Sequence, residues 1–291
     1  TSTTQPGYTT APVYDGHGGL IAAGGDSYFY DVAGRHLATS QGTTRVEYQR
    51  DMTGRVVDRK TFDTTGGGST VTGEQQYVST ANGDTPDLVF DGSGTLIERT
   101  ITLPGGAILT DRPAGTDVWS YPNIHGDITA TWTTGTVTTI VYDPYGNPIT
   151  SLPDNAAGSY DWAWLGSLQR GTEHQAGINP GIELGARLYN PALGRFNQTD
   201  PITGGNNNPY TYPNDPINQT DPNGTCARHG GVTGWIRDRA CNIGDAGRSV
   251  AHWAYENRWA IAGATSSAAC IVSSAFGLVA PCLVAAGLLL S

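Results

Sequence analysis

The stretch Ile182 to Gly224 reads IELGARLYNPALGRFNQTDPITGGNNNPYTYPNDPINQTDPNG. It holds a Gly-Ala-Arg-Leu-Tyr segment ending at Tyr189, a Leu-Gly-Arg-Phe turn ending at Phe196, and Asp-Pro steps at Asp200 and Asp221. Between those steps lies a polar, turn-rich run with Tyr210 and Tyr212. Everything before the stretch reads as short β-hairpins. Everything after it reads as a different kind of polypeptide.

Upstream, one unit recurs in loose form. Tyr14-Asp15 is followed by Gly18, Tyr30-Asp31 by Gly34, Tyr48 and Asp51 by Gly54, Phe90-Asp91 by Gly94, and Tyr142-Asp143 by Gly146. A β-branched or aliphatic pair follows most of these glycines. The aspartate can cap the turn with its carboxylate, and the glycine accepts a positive φ that other residues resist. Flanking segments alternate as strands do, for example Thr44-Arg45-Val46-Glu47-Tyr48. Residues 119–149 give the last clear hairpins, rich in alternating Thr and Val. Each unit is too small to bury its own face and becomes stable by stacking on neighbours. These aspartates, and the His125-Gly126-Asp127 segment, therefore read as turn formers rather than as catalytic groups.

Composition agrees. Charged residues make up only 14% of the 291, while Gly reaches 40 and Tyr (14) outnumbers Phe (5), as suits a turn-dense β protein. A net charge of −10 argues against non-specific binding to nucleic acid phosphates. All four cysteines, at 226, 241, 270 and 282, follow the organising stretch and mark a boundary near 225. They lack CxxC spacing; Cys226 with His229 is a single Cys-x-x-His, weak as a metal site. A Cys226–Cys241 bond is open in an oxidising compartment, with free structural thiols as the alternative. No cofactor is implied. The opening TSTTQPGYTTAPVYDG has no secretory pattern and no initiator Met, so a piece of a longer polypeptide is expected.

The combined motif resembles the C-terminal core of the Rhs/YD-repeat family, in the pattern GARxYxPxLGRFxxxDPI…NxYxYxxxDPxNxxDxxG. The resemblance covers roughly residues 140–224, with weaker cover back to about residue 14. Trp162, Trp164 and Leu165 resemble a segment found before the core in some members, and the tryptophans are expected to fill it. The resemblance implies a mainly β fold: an antiparallel β-hairpin YD-repeat shell over 1–150, a core plug over 151–225, and a variable effector from 226 onward held inside the shell. It implies a secreted or cell-surface bacterial protein whose partners are its own C-terminal segment and the remainder of the shell. It also implies self-cleavage, with Asp200, Asp221 and Arg187 as the functional residues. Two carboxylates brought close cannot both ionise cheaply, so one holds a proton near neutral pH. The charged member can then activate a nucleophile, the protonated member can polarise a carbonyl, and Arg187 can hold one aspartate ionised or stabilise the oxyanion. Spacing alone does not select these residues, because Asp-Pro steps form turns, and Asp143-Pro144 and Asp215-Pro216 show the same pair. The family cut follows Asp-Pro-x-Gly-Leu. Here Gly224 is followed by Thr225 and Cys226, and Thr225–Cys226 is the expected bond.

Glu173-His174 could form an acid/base couple, but no third ligand or HExxH frame accompanies it. Asp245 to Arg258 patterns as a helix. Residues 259–291 carry no charge and are rich in Ala, Val, Leu, Ser and Gly. That run is long enough to contact or span a membrane, or to form two apolar helices broken at Pro281. The rival reading of the whole chain is a non-enzymatic module. In it the Tyr- and Trp-rich hairpins bind carbohydrate or a partner surface, and Asp200 and Asp221 only make turns.

Overall fold

A computed structural model describes residues 11–80, 86–201, 208–225 and 228–229. The chain divides into two units, Thr1–Asp238 and Arg239–Ser291, and every described residue belongs to the first. The expected helix over 245–258 and the apolar run of 259–291 lie outside the described residues. Among those described, no helix is long and apolar enough to cross a membrane.

Thirteen antiparallel strands form one sheet in strict chain order. They are β1 (Val13–Tyr14), β2 (Leu20–Ala23), β3 (Asp26–Tyr30), β4 (His36–Gln41), β5 (Thr44–Arg50), β6 (Val56–Asp63) and β7 (Thr70–Val78). There follow β8 (Leu88–Asp91), β9 (Leu96–Thr102), β10 (Ile108–Asp111), β11 (Val118–Pro122), β12 (Ile128–Thr133) and β13 (Thr136–Thr139). A second sheet of five strands holds β14 (Tyr160–Trp162), β15 (Gly171–Glu173), β16 (Gly181–Leu184), β17 (Arg187–Asn190) and β18 (Arg195–Phe196). A last pair joins β19 (Gln219–Thr220) to β20 (Arg228–His229). The expected mainly β, antiparallel fold is what the chain adopts.

The recurrent turns share one hydrogen-bond pattern. In each, the aspartate N–H donates to the carbonyl four residues on, and the glycine N–H donates back to the aspartate carbonyl. This holds at Asp15, Asp31, Asp51, Asp91 and Asp143, and Asn123 repeats it with Gly126. The side-chain Oδ1 accepts further amides, as Asp51 does from Thr53 at 2.8 Å and Arg55 at 3.1 Å. Most of these turns bring a one-residue shift in register, as between Gln49 and Arg50, which matches a type I turn closed by a glycine bulge. Antiparallel strands alternate ends, so the turns at Asp15, Asp31, Asp51 and Asn123 fall at one end of the sheet and that at Asp91 at the other. The gap between Asp51 and Asp91 holds the β6–β7 hairpin, closed instead by a 3-10 turn at Thr65–Gly67.

One face of the large sheet packs against the five-stranded sheet. Val46, Tyr48, Tyr77 and Val89 meet Tyr160 and Ile178; Ile108 and Ile128 meet Trp162; Leu20, Ala23 and Tyr28 meet Leu188. Ionic contacts are set into this apolar interface. Glu173, 3% exposed, accepts from Arg59 Nε at 2.6 Å and from the Tyr48 hydroxyl at 2.7 Å. Glu183 accepts from Arg50 Nη2 at 2.7 Å and lies 2.9 Å from His36 Nδ1. Burial pushes the Glu183 carboxyl up, but Arg50 and His36 overcome it and hold it down at about 2. Asp26 and Glu98 go the other way: burial raises them to about 6 and about 7, against weaker opposing contacts.

Three outcomes follow from this packing. Gly54 sits at φ 90° with open space around its α-carbon, so Gly54→Ala should cost about 1 kcal/mol through backbone strain alone. Gly16→Ala, equally uncrowded and without positive φ, should be neutral when both variants are compared with the parent by urea titration. Arg59→Met should cost about 3–5 kcal/mol by stranding buried Glu173, and adding Glu173→Gln should restore part of it. For pH the signs separate. Groups with raised folded pKa stabilise below their ordinary values and lose that contribution as pH rises through about 6 for Asp26 and about 7 for Glu98. Glu183, held low, loses its contribution only as pH falls from about 4.5 through about 2. Thermal midpoints should therefore fall from about pH 5 to about pH 8, and Glu98→Gln should flatten part of that fall. A slope unchanged by the substitution would contradict the assignment.

Candidate functional site

The organising stretch supplies β16, β17 and β18, and its side chains build the centre of the second layer. Trp164, Leu165, Ile182, Leu184, Tyr189, Phe196 and Tyr212 form one buried cluster. Trp164 stacks on Tyr189 at 5.3 Å between centroids, and Tyr212 lies 4.9 Å from Tyr189. Trp162 and Trp164 are each 1% exposed, in the core-filling role expected of them.

Arg187 begins β17 and lies at the edge of this cluster, 2% exposed. Its guanidinium carbon sits 3.6 Å from the centroid of the Phe196 ring. Nη2 is 3.2 Å from Asp221 Oδ2 and 3.4 Å from Asp200 Oδ2. Nη1 donates to the Pro209 carbonyl at 3.0 Å, and Nε donates to the Gly224 carbonyl. Burial lowers the Arg187 pKa from its ordinary value, with Asp200 and Asp221 pulling it back. The structure thus brings Asp200, Asp221, Arg187, Gly224 and Thr225 together. Cys226 lies outside the described residues.

Asp221 heads a turn of the same kind as those in the large sheet. Gly224 has φ 65°, its N–H donates to the Asp221 carbonyl at 3.3 Å, and the Thr225 N–H donates to Asp221 Oδ1 at 3.1 Å. The turn lies against the loop between β16 and β17. Ala186 N–H donates to the Asn223 carbonyl at 3.0 Å. A Cβ on Gly224 would collide with the Leu184 carbonyl, and one on Gly185 would come within 2.7 Å of the Asn223 carbonyl. Both glycines therefore permit a backbone approach that no larger residue allows. Pairing of β19 with β20 then returns the chain beside the residues just before Asp221, a contact the sequence did not announce.

Other candidates separate. Glu173 turns to Arg59 and Tyr48, while His174 Nε2 lies 2.5 Å from Asp161 Oδ2, so the two do not act as a couple. His125 Nδ1 lies 2.8 Å from Asp127 Oδ1 within the Asn123 turn. Asp215 forms an exposed turn with Asn218. Among the described residues, no three His, Cys, Asp or Glu side chains converge as metal ligands.

No family model and no curated protein matches the chain. Solved structures do match it. The crystal structure of TcdB2-TccC3-TEV is 20% identical with a TM-score of 0.53, over 72% of this chain and 11% of that one. The Tc holotoxin pore of Photorhabdus luminescens with a mutated TccC3 is 19% identical with a TM-score of 0.51, over 72% and 10%. TcdB2-TccC3 without its hypervariable C-terminal region is 19% identical with a TM-score of 0.52, over 72% and 11%. The chain spans about a tenth of the length of these toxin chains, and over that part it has their fold.

Proposed function

We propose that the chain is the C-terminal part of an Rhs/YD-repeat polymorphic toxin that encloses its own effector segment and frees it by aspartate-dependent self-cleavage at Thr225–Cys226. The observation that carries this reading is the buried convergence of Asp200 and Asp221 on Arg187, with Asp221 also bonded to the Thr225 amide. Two turn formers have no need of a shared buried cation. Fold likeness to the Tc structures supports the β-shell part of the reading.

In the proposed step one carboxylate takes a proton from a water molecule as its oxygen adds to the Thr225 carbonyl carbon. Arg187, which holds the carbonyl of the preceding Gly224, is the cation that stabilises the oxyanion in this proposal. The Thr225–Cys226 C–N bond then breaks, and the other aspartate, which enters the step as the neutral carboxylic acid, delivers its proton to the departing Cys226 nitrogen and is left as a carboxylate. Gly224 and Asp221 fix the backbone on the acyl side of the bond. No cofactor takes part. The partners are the chain's own segment from 226 and the remaining shell, the setting is secreted or cell-surface, and 259–291 supplies any membrane contact.

One observation favours a second reading, a carbohydrate- or partner-binding module. Trp119 and Trp132 are direct cross-strand partners on the face of the large sheet turned away from the plug, where Trp132 is 39% exposed and Tyr121 43%.

Self-cleavage separates the two. Asp200→Asn and Asp221→Asn should each leave the chain whole, slowing the cut by roughly 100-fold or more. Asp143→Asn and Asp215→Asn should cut as the parent does, because asparagine serves a turn as well as aspartate. A gel of all four variants reads this, and intact mass shows whether the first fragment ends at Thr225. Parent-like cutting by the Asp200 and Asp221 variants would overturn the assignment. A parent that stays whole would favour the binding module.

A further inference from the structure

The turn at Asp221 differs from the repeat turns in where its first amide goes. At Asp15, Asp31, Asp51, Asp91, Asn123 and Asp143 that N–H donates to the carbonyl four residues on, at distances of 2.9 to 3.0 Å. The Asp221 N–H instead donates to the Tyr212 hydroxyl at 3.2 Å. Tyr212 is 1% exposed, and its ring is gripped by Trp164 at 5.1 Å, Tyr189 at 4.9 Å and Phe196 at 6.0 Å. Phe196 is also the ring beneath the Arg187 guanidinium. One aromatic cluster therefore holds both the cation and the head of the turn that carries the carboxylate.

We infer that Tyr212 is a positioning residue of the cleavage site: its hydroxyl takes the Asp221 N–H and thereby fixes the Asp221 carboxylate between Arg187 and the Thr225 amide. This rests on the self-cleavage reading. The repeat turns close on themselves and need no outside partner for that amide. The Asp221 turn carries a carboxylate with two tasks, Oδ2 toward Arg187 and Oδ1 toward Thr225, and a turn anchored to the core keeps both oxygens in place. Tyr212 exchanges no proton in this role. Burial pushes its hydroxyl far above the ordinary tyrosine value, so it stays protonated over the whole working range.

The test uses the full chain made by cell-free synthesis, with cleavage followed in time. Tyr212→Phe keeps the ring in its cluster and removes only the acceptor. Tyr189→Phe is the comparison, since it removes another hydroxyl from the same cluster, one that donates to the Tyr145 carbonyl at 2.9 Å. Tyr212→Phe should slow cleavage roughly tenfold or more, with a pH–rate profile parallel to the parent's. Tyr189→Phe should cut at the parental rate. Thermal midpoints, measured on both variants in the uncut Asp200→Asn background, should be alike. Four results would overturn the inference: parental cutting by Tyr212→Phe, equal slowing by both variants, a midpoint collapse confined to Tyr212→Phe, or a pH limb that moves with the substitution. A parent that does not cut at all would instead remove the self-cleavage reading on which the inference stands.

Discussion

A carboxylate that accepts the amides of its own turn is the interaction on which this chain is built. Its geometry is local: aspartate, two residues, a glycine at positive φ, and a strand leaving in the opposite direction. The carboxylate replaces water on amides that the tight turn would otherwise leave unpaired, and the glycine removes the Cβ that would forbid the conformation. Repeated along the sequence, this unit folds strand back on strand, and the order β1 to β13 follows with no crossover. A hairpin made this way is marginal alone. It gains stability when its alternate side chains, such as Val46 and Tyr48, find a second layer to bury against.

That second layer is joined by charge as well as by apolar contact. Glu173 and Glu183, from β15 and β16, reach Arg59, Arg50, Tyr48 and His36 of the large sheet. A buried carboxylate costs several kcal/mol to desolvate unless it is paired, so any other seating of the five-stranded sheet on the large one would strand these groups. The ion pairs therefore act on register more than on net stability. Apolar contacts such as Ile128 with Trp162 tolerate small slips, whereas a 2.6 Å contact between Arg59 and Glu173 does not.

The difference between local and distant partners decides what could be read beforehand. The turn aspartates, the strand alternation and the buried tryptophans were legible because neighbouring residues or simple hydropathy specify them. The partners of Glu173 and His36 lie 114 and 147 residues away, and no spacing rule connects them. Adjacency even misdirects: Glu173 and His174 look like a couple, yet side chains alternate along a strand and send them to different partners. Asp200, Asp221 and Arg187 were legible only through their resemblance to a known pattern. Their convergence depends on how β17 and the two Asp-Pro segments pack, which the residues alone do not state. Tyr212 was visible as an aromatic residue in a turn-rich run, but its bond to the Asp221 amide was not.

The Asp221 turn also shows how a repeated structural unit is given partners that the other turns lack. Asp221, Gly224 and Thr225 keep the bond from carboxylate to fourth amide and the positive-φ glycine seen throughout the sheet. What is new comes from outside the turn: a buried guanidinium against Oδ2, a tyrosine hydroxyl under the first amide, and a second aspartate on the same cation. The approach that brings these together is made by glycine on both sides. Gly185 lets the Asn223 carbonyl come close, and Gly224 lets its own backbone lie against the Leu184 carbonyl. A side chain at either position would push the turn away from β17 and separate Arg187 from the Gly224 carbonyl. Asp221 would then be left as one more capped turn, bonded to its own amides and remote from any cation. The two glycines, which bring no side chain of their own, therefore set the distance at which Arg187 meets the Gly224 carbonyl and Asp221.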